Sequence, residues 1–315
     1  MFEKLKNMVE NAEKIAIFTH ENPDGDALGS SYAFALGLLW LGKKANVFLG
    51  DFKKNTKEYR EICGKEMLSD ITSDECDLKI ALDCADEGRV VLGGAEFSGV
   101  TAAVDHHVTH KPYADETVVI DAPATGEIVF DILTRWGVEI TPEIASNIYI
   151  AIACDTGNFK YSSTTPKTHR VIAELIEYGA DFAKISRELF YKLSREYLTL
   201  YKIALERLEF FADKKACVMY ISDEDFEVAG LDENESGDIV TLPSKIMGVE
   251  AGVFIRNRGN GYKVSLRSNE YVNVSEIAVS FGGGGHIRAA GFSSELPLDE
   301  LKKQVCSKIE NALKR

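Results

Sequence analysis

Residues 14–26 read KIAIFTHENPDGD. Lys14–Thr19 is a compact apolar run, too short for a helix and suited to a buried strand. His20, Glu21, Asp24 and Asp26 then crowd a loop that Pro23 and Gly25 keep irregular. From Asp26 the chain becomes apolar and reads as a buried helix closed by Gly42. Strand, polar loop, helix is the opening of an α/β unit, and the pattern recurs. Ala45–Leu49, Leu78–Leu82, Val100–Val104 and Thr117–Ile120 read as further strands. Strands alternating with helical stretches predict the α/β class with a mostly parallel sheet.

Beyond Pro123 the reading is helical. Thr125–Trp136, Pro142–Cys154, Pro166–Tyr178, Asp181–Phe190 and Ser194–Phe211 are expected helices, two of them opened by proline. A smaller α/β unit begins near residue 212. Ala216–Ile221 and Ala251–Arg256 read as strands, and Val253–Asn257 with Lys263–Arg267 as a hairpin around Arg258-Gly259-Asn260-Gly261. Asn273 is placed to cap a helix over Val274–Phe281, a glycine run reads as a loop, and Leu298–Leu313 closes the chain as an amphipathic helix. The expected division is a catalytic domain over 1–190, a helical linker over 191–211 free of glycine and proline, and a C-terminal domain over 212–315.

The chain has 315 residues and a formal net charge of −14. Gripping a long duplex requires a basic face, so this balance argues against one, while leaving room for a short nucleotide held by a few local cations. Cys63, Cys76, Cys84, Cys154, Cys217 and Cys306 form no CxxC pair, as expected of apolar fillers in a reducing compartment. The first twenty residues are interrupted by charges and do not read as a signal peptide. The longest nearly apolar stretch, Ala27–Leu41, falls short of the ~20 residues that span a bilayer. A soluble cytoplasmic protein with no membrane partner is expected.

Chemistry concentrates where the short strands end. His20, Asp24 and Asp26 follow the first, Asp83 the third, and Asp105-His106-His107 the fourth; Asp155 follows the apolar run Ile148–Cys154. Ligand sites of open α/β sheets lie outside the carboxyl ends of the strands. Taken singly, each residue has a plain explanation: a loop aspartate, an Asp26 that caps its helix, a surface histidine. Gathered on one rim, carboxylates and imidazoles without cysteine suit divalent cations, Mn²⁺ ahead of structural zinc. Two such ions sharing a carboxylate can clamp a phosphoryl group and activate water.

The motif His20-x3-Asp24-x-Asp26, with Asp83, Asp105-His106-His107 and Asp155, resembles the four motifs of the DHH phosphoesterase superfamily. The second unit resembles the DHH-associated C-terminal domain, through Gly282-Gly283-Gly284-Gly285-His286 followed by Arg288-Ala289-Ala290-Gly291. The resemblance covers nearly the whole chain. It implies that His20, Asp24 and Asp83 hold one divalent cation and that Asp26, Asp83, His106 and Asp155 hold a second. Asp83 would bridge the pair, Asp105 would orient a neighbouring ligand, and His107 would face the phosphate, stabilising charge or protonating the leaving oxygen. The layout resembles the nanoRNase and pAp phosphatase branch. That implies Mn²⁺-dependent hydrolysis of short RNA and linear dinucleotides such as pApA to 5′-mononucleotides, and of pAp to AMP, in a cleft between the domains. Cyclic dinucleotides are a further candidate substrate.

The glycines let backbone N–H groups approach an anion. Gly283, Gly284, Gly285, His286 and Arg267 are accordingly expected to grip the terminal phosphate, Arg267 through a bidentate contact. Arg256, Arg258, Lys263, Arg267 and Arg288 make a local basic set in an acidic chain. A homodimer is compatible with the apolar helices. Three rivals remain: a family II pyrophosphatase, whose Ser-Arg-Lys-Lys type cluster is not found; a RecJ-like exonuclease, which is longer; and a non-catalytic nucleotide sensor, which would show degenerate ligands. Phe159 and Tyr161 read as packing residues ahead of base-stacking ones. Thr125 reads as a helix start ahead of a site residue.

Overall fold

The computed structural model describes residues 2–21, 23–49, 63, 69–90, 97–232 and 237–314. Two compact units divide the chain, Met1–Lys192 and Leu193–Arg315.

The first unit begins with α1 (Glu3–Asn11), β1 (Lys14–Phe18), α2 (Gly25–Trp40) and β2 (Lys44–Phe48). It continues with β3 (Leu78–Leu82), β4 (Thr101–Asp105), β5 (Glu116–Val119), α3 (Thr125–Arg135), α4 (Pro142–Asp155), α5 (Pro166–Glu177) and α6 (Phe182–Ser186). The strands form one sheet in the order β2-β1-β3-β4-β5, every pair parallel, as the alternation of strands and helices predicted. β3 and β4 are buried along their whole length, which is why they read as continuous apolar runs without alternation. The strand order reverses between β1 and β3, and a ligand crevice forms at such a switch point.

Helix α2 is buried nearly all round, which suits its lack of a polar face. Leu28, Phe34 and Leu38 are fully buried in it, each contributing roughly 1.5–3 kcal/mol of transfer free energy. Two glycines set how closely its neighbours approach. A Cβ on Gly29 would stand 2.4 Å from the Asn147 carbonyl oxygen of α4, and one on Gly126 of α3 would stand 2.4 Å from the Ala151 Cβ of α4. The helix starts one residue earlier than the sequence suggested. Asp24, not Asp26, is its N-cap, accepting from the Asp26 and Ala27 N–H groups at 3.0 and 3.1 Å.

The second unit contains α7 (Arg195–Glu206), β6 (Glu209–Phe211), β7 (Ala216–Ile221), α8 (Asp223–Ala229), β8 (Ala251–Arg258) and β9 (Gly261–Ser268), then α9 (Val274–Val279), β10 (Gly284–His286), β11 (Ala289–Ser294) and α10 (Leu298–Leu313). Its sheet runs β10-β11-β9-β8-β7-β6, antiparallel except for β7 with β8. Two expectations need correction here. The helix expected over Ser194–Phe211 ends at Glu206, and Glu209–Phe211 is a strand. Ala212, Asp213 and Lys214 all adopt left-handed backbone (φ 50°, 53° and 66°) to fold β6 back on β7, a turn made without glycine and so invisible to composition. The glycine run is likewise more than a loop. Gly284–His286 pairs with Ala289–Gly291. A Cβ on Gly283 would come 2.3 Å from the Gly291 oxygen, and one on Gly285 2.6 Å from the Ala289 oxygen. Packing demands those two glycines, whereas a Cβ on Gly284 meets nothing within 4 Å.

Candidate active site

Four segments of the first unit bring their carboxylates and imidazoles together. His20 follows β1, its backbone bridged to Val90 and the next residue's N–H bonded to the Arg89 oxygen at 3.1 Å. Asp24 and Asp26 open α2, Asp83 leaves β3, Asp105, His106 and His107 leave β4, and Asp155 ends α4. Three overlapping groups result: His20, Asp24 and Asp83; Asp26, His106 and Asp155; Asp83, His106 and His107. Within each group the candidate ligand atoms lie within 4.8 Å of one another. Asp83 belongs to two of the groups. Its backbone is left-handed at φ 60°, uncommon for a non-glycine residue and concentrated at functional sites.

His106 shows the geometry most clearly. Its Nδ1 lies 3.0 Å from the Ala122 carbonyl oxygen, which only accepts, so Nδ1 carries a proton. Its Nε2 therefore faces the carboxylates, at 3.3 Å from Asp155, 3.5 Å from Asp83 and 3.9 Å from Asp26. These separations are long for hydrogen bonds. Donor atoms about 2.1 Å from a shared ion stand about 3–4 Å from each other, so the spacing fits a cation among them.

The electrostatics point the same way. Burial, and then the charges of Asp83 and Asp155, push Asp26 well above the usual carboxylate range. Burial and Asp24 push Asp83 up to about 6, and burial, Asp24 and Asp83 push Asp155 up to about 7. Burial lowers His20 from its ordinary value. Carboxylates crowded so closely in low dielectric are held apart from their charged forms until a cation joins them.

Asp105 is fully buried and bonds three ways. It accepts from the His106 backbone N–H at 2.8 Å and contacts His107 Nδ1 and His110 Nδ1, each at 2.7 Å. Burial opposes its charge, but the hydrogen bonds from His107 and His110 hold its pKa below the ordinary value. The bond to Asp105 conversely raises His107. His110 escaped the sequence reading; its only signal was a third imidazole shortly after the His106-His107 pair.

Thr125 is a larger omission, since the sequence favoured a simple helix start. The hydroxyl of Thr125 donates to Asp83 at 2.9 Å. The Thr125 and Gly126 N–H groups donate to Asp26 at 2.7 and 2.9 Å, aiming the N-terminus of α3 at that carboxylate. Thr125→Val should weaken Mn²⁺ binding by about 10- to 100-fold, while Thr125→Ser keeps it near wild type. Titration calorimetry checks this, and equal affinities for the two variants would contradict it. Phe159 packs against Tyr149 and His169, as a packing residue should, and Tyr161 is exposed and lies over Gly157.

In the second unit Arg267 is half-buried, which lowers its pKa. Its guanidinium donates to the neighbouring Leu266 carbonyl at 3.0 Å, and it forms no ion pair among the described residues. His286 and Ala289 are paired across β10 and β11, and Ala289 is paired with Arg267, so His286 and Arg267 share one face of the sheet. Arg288 serves a different purpose, because its guanidinium donates to the carbonyls of Val272 and Glu270 and holds the loop after β9.

A parallel sheet with carboxylates and imidazoles at its switch point, followed by a unit with a glycine–histidine edge strand, places the chain among the DHH phosphoesterases. It belongs to that family: residues 14–152 match the DHH family, N-terminal domain, and residues 213–315 match the DHHA1 domain. The chain is 34% identical over 309 residues to the bifunctional oligoribonuclease and PAP phosphatase NrnA of Thermus thermophilus, covering 96% of this chain and 90% of that one. The protein of the same name from Bacillus subtilis is 26% identical, with 89% of each chain covered. The crystal structure of an exopolyphosphatase-related protein from Bacteroides fragilis superposes with a TM-score of 0.84 at 26% identity, covering 100% of this chain and 97% of that one. No helix among the described residues is long and apolar enough to cross a membrane.

Proposed function

We propose that this protein is a Mn²⁺-dependent phosphodiesterase that hydrolyses short oligonucleotides and linear dinucleotides such as pApA to 5′-mononucleotides, and pAp to AMP. The observation that carries this reading is the convergence of His20, Asp24, Asp26, Asp83, His106, His107 and Asp155 into overlapping groups that share Asp83 and His106. The relatives named for oligoribonuclease and PAP phosphatase activity support the substrate class. Cytoplasmic placement agrees with six free cysteines.

In this reading His20, Asp24 and Asp83 would hold one ion, and Asp26, Asp83, His106 and Asp155 would hold the other. When bound, the two ions supply Lewis acidity at the phosphoryl oxygens and a water of lowered pKa. The protein's own groups do the positioning. The Thr125 hydroxyl and the α3 N-terminus fix Asp83 and Asp26. Ionised Asp105 accepts from the His107 Nδ1–H and raises that ring's pKa, favouring the doubly protonated imidazolium, whose Nε2–H can give its proton to the leaving ester oxygen and return the ring to its neutral Nδ1–H form. Arg267 and His286, with the backbone of Gly284 and Gly285, hold the terminal phosphate; the Gly283 N–H expected to join them instead donates to the Ala278 carbonyl at 2.9 Å. β10 is an edge strand, so some of its backbone N–H groups are not taken up by the sheet.

AMP release from pApA in Mn²⁺ tests the proposal. It should stop on chelation and return when Mn²⁺ is restored, and turnover unaffected by chelation would overturn it. Stability supplies a second check. Asp26, Asp83 and Asp155 titrate higher in the folded chain than in the unfolded one. The stability that Asp83 and Asp155 contribute is therefore complete below about pH 4 and is lost as pH rises through about 6 to 7, and Asp26 acts in the same direction. The metal-free protein should thus show a Mn²⁺-induced rise in Tm that is larger at pH 7.5 than at pH 5. Equal rises at both pH values would remove the crowded carboxylates from metal binding.

A further inference from the structure

The two faces of the second sheet differ sharply. Val253, Ile255, Val264, Leu266, Ala290 and Phe292 point to one side and are buried in a core shared with α9 and α10. The alternate residues form the other face. There Arg267 lies opposite Gly252, Ser265 opposite Phe254, and Lys263 directly opposite Arg256, with Arg258 one pleat further on, opposite Gly261. On the other side of β9, Ala289, Gly291 and Ser293 pair with Arg267, Ser265 and Lys263. The floor between Arg267 and Lys263 is thus Ser265, flanked on one side by Gly291 with exposed Gly284 beyond it, and on the other by Phe254, which is buried in a second apolar core with Met219 and Ile221.

Arg267 and Lys263 are four residues apart on one strand, which separates them by about 13 Å. Lys263, Arg258 and Arg267 form no ion pair among the described residues, although the whole chain is strongly acidic. Cβ atoms of directly opposed residues in an antiparallel pair stand about 5 Å apart, and like charges placed so destabilise the sheet. Burial, and then Arg256, Arg258 and Arg267, lower the Lys263 pKa. Lys263, Arg258 and Arg267, each without an ion pair among the described residues and all on one face of the sheet, present that face to an anion.

We propose that Lys263 and Arg258, with Arg256 opposite, form a second phosphate subsite that takes a backbone phosphate of an oligonucleotide longer than a dinucleotide. This rests on the short-oligonucleotide reading above, in which Arg267 and His286 hold the terminal phosphate. pAp and pApA carry two phosphates, one for the terminal grip and one at the reacting centre. A trinucleotide or tetranucleotide carries more, and the distance from Arg267 is greater than one nucleotide step.

The test compares pApA with the tetranucleotide pApApApA in wild type and in the Arg258→Gln/Lys263→Gln double variant. The subsite predicts that KM for the tetranucleotide rises by about tenfold while KM for pApA changes by less than about twofold. It also predicts that the salt dependence of kcat/KM for the tetranucleotide becomes shallower, by about 0.7 in log–log slope for each phosphate no longer neutralised. Equal changes for both substrates, or none for the tetranucleotide, would overturn the subsite while leaving the activity itself in place. Failure of wild type to turn over either substrate would instead remove the reading on which the subsite rests.

Discussion

Asp83→Ala should lower kcat by well over 100-fold with Mn²⁺ saturating, more than the ~10- to 100-fold typical of residues that only support a ligand. Asp83 alone among the carboxylates takes part in groups with His20 and Asp24 on one side and with His106 and His107 on the other. Its loss therefore damages both proposed ion sites together. The φ of 60° makes Asp83→Asn the informative companion, because asparagine tolerates left-handed backbone and removes only the charge. Both variants should stay folded. Removing the charge from beside Asp26 and Asp155 relieves repulsion, so the metal-free Tm of Asp83→Asn at pH 7.5 should equal or exceed that of wild type, while Asp83→Ala loses part of that gain to its left-handed backbone and to the Thr125 hydroxyl left without its acceptor. Activity near wild type in either variant would end the assignment of Asp83 as a bridge.

Arg267→Ala should raise KM for pApA strongly, lowering kcat/KM by about 100-fold, the scale of losing a bidentate charged contact worth about 3 kcal/mol. Mn²⁺ affinity, read by titration calorimetry, should stay within about twofold, since Arg267 belongs to the second unit and the candidate ligands to the first. Arg267→Lys should recover only part of the loss, because an ammonium cannot reproduce the planar fork. Unchanged kinetics for pApA in Arg267→Ala would take this residue out of the substrate grip.

Much of this was written locally in the chain. Lys14–Phe18, Leu78–Leu82 and Thr101–Asp105 announce themselves as buried strands because parallel strands covered on both faces have no polar alternation. Once they are strands and parallel, the residues at their carboxyl ends must lie along one edge of the sheet, which is why the sequence alone groups His20, Asp83 and Asp105-His106-His107. What stayed hidden depends on approach between distant segments. The Thr125 hydroxyl reaches Asp83 across 42 positions of sequence, and the Gly126 N–H reaches Asp26 across 100. Both contacts exist because Gly29 and Gly126 let α2, α3 and α4 crowd together, and a lone glycine in a helix does not reveal what it makes room for. His110 joins Asp105 only through the fold of its loop. The β6–β7 turn relies on left-handed Ala212, Asp213 and Lys214, a conformation that those residue types do not advertise.

A site that grips its substrate by a terminal phosphate should act on short phosphodiesters and spare long ones. Product release by the purified protein in Mn²⁺, measured side by side on pApA, pAp, a single-stranded 20-mer and pyrophosphate, tests it most directly. Rapid conversion of pApA to AMP is expected, with slower or comparable release of phosphate from pAp and a 20-mer left nearly intact. Preferential degradation of the 20-mer, or of pyrophosphate, would contradict it.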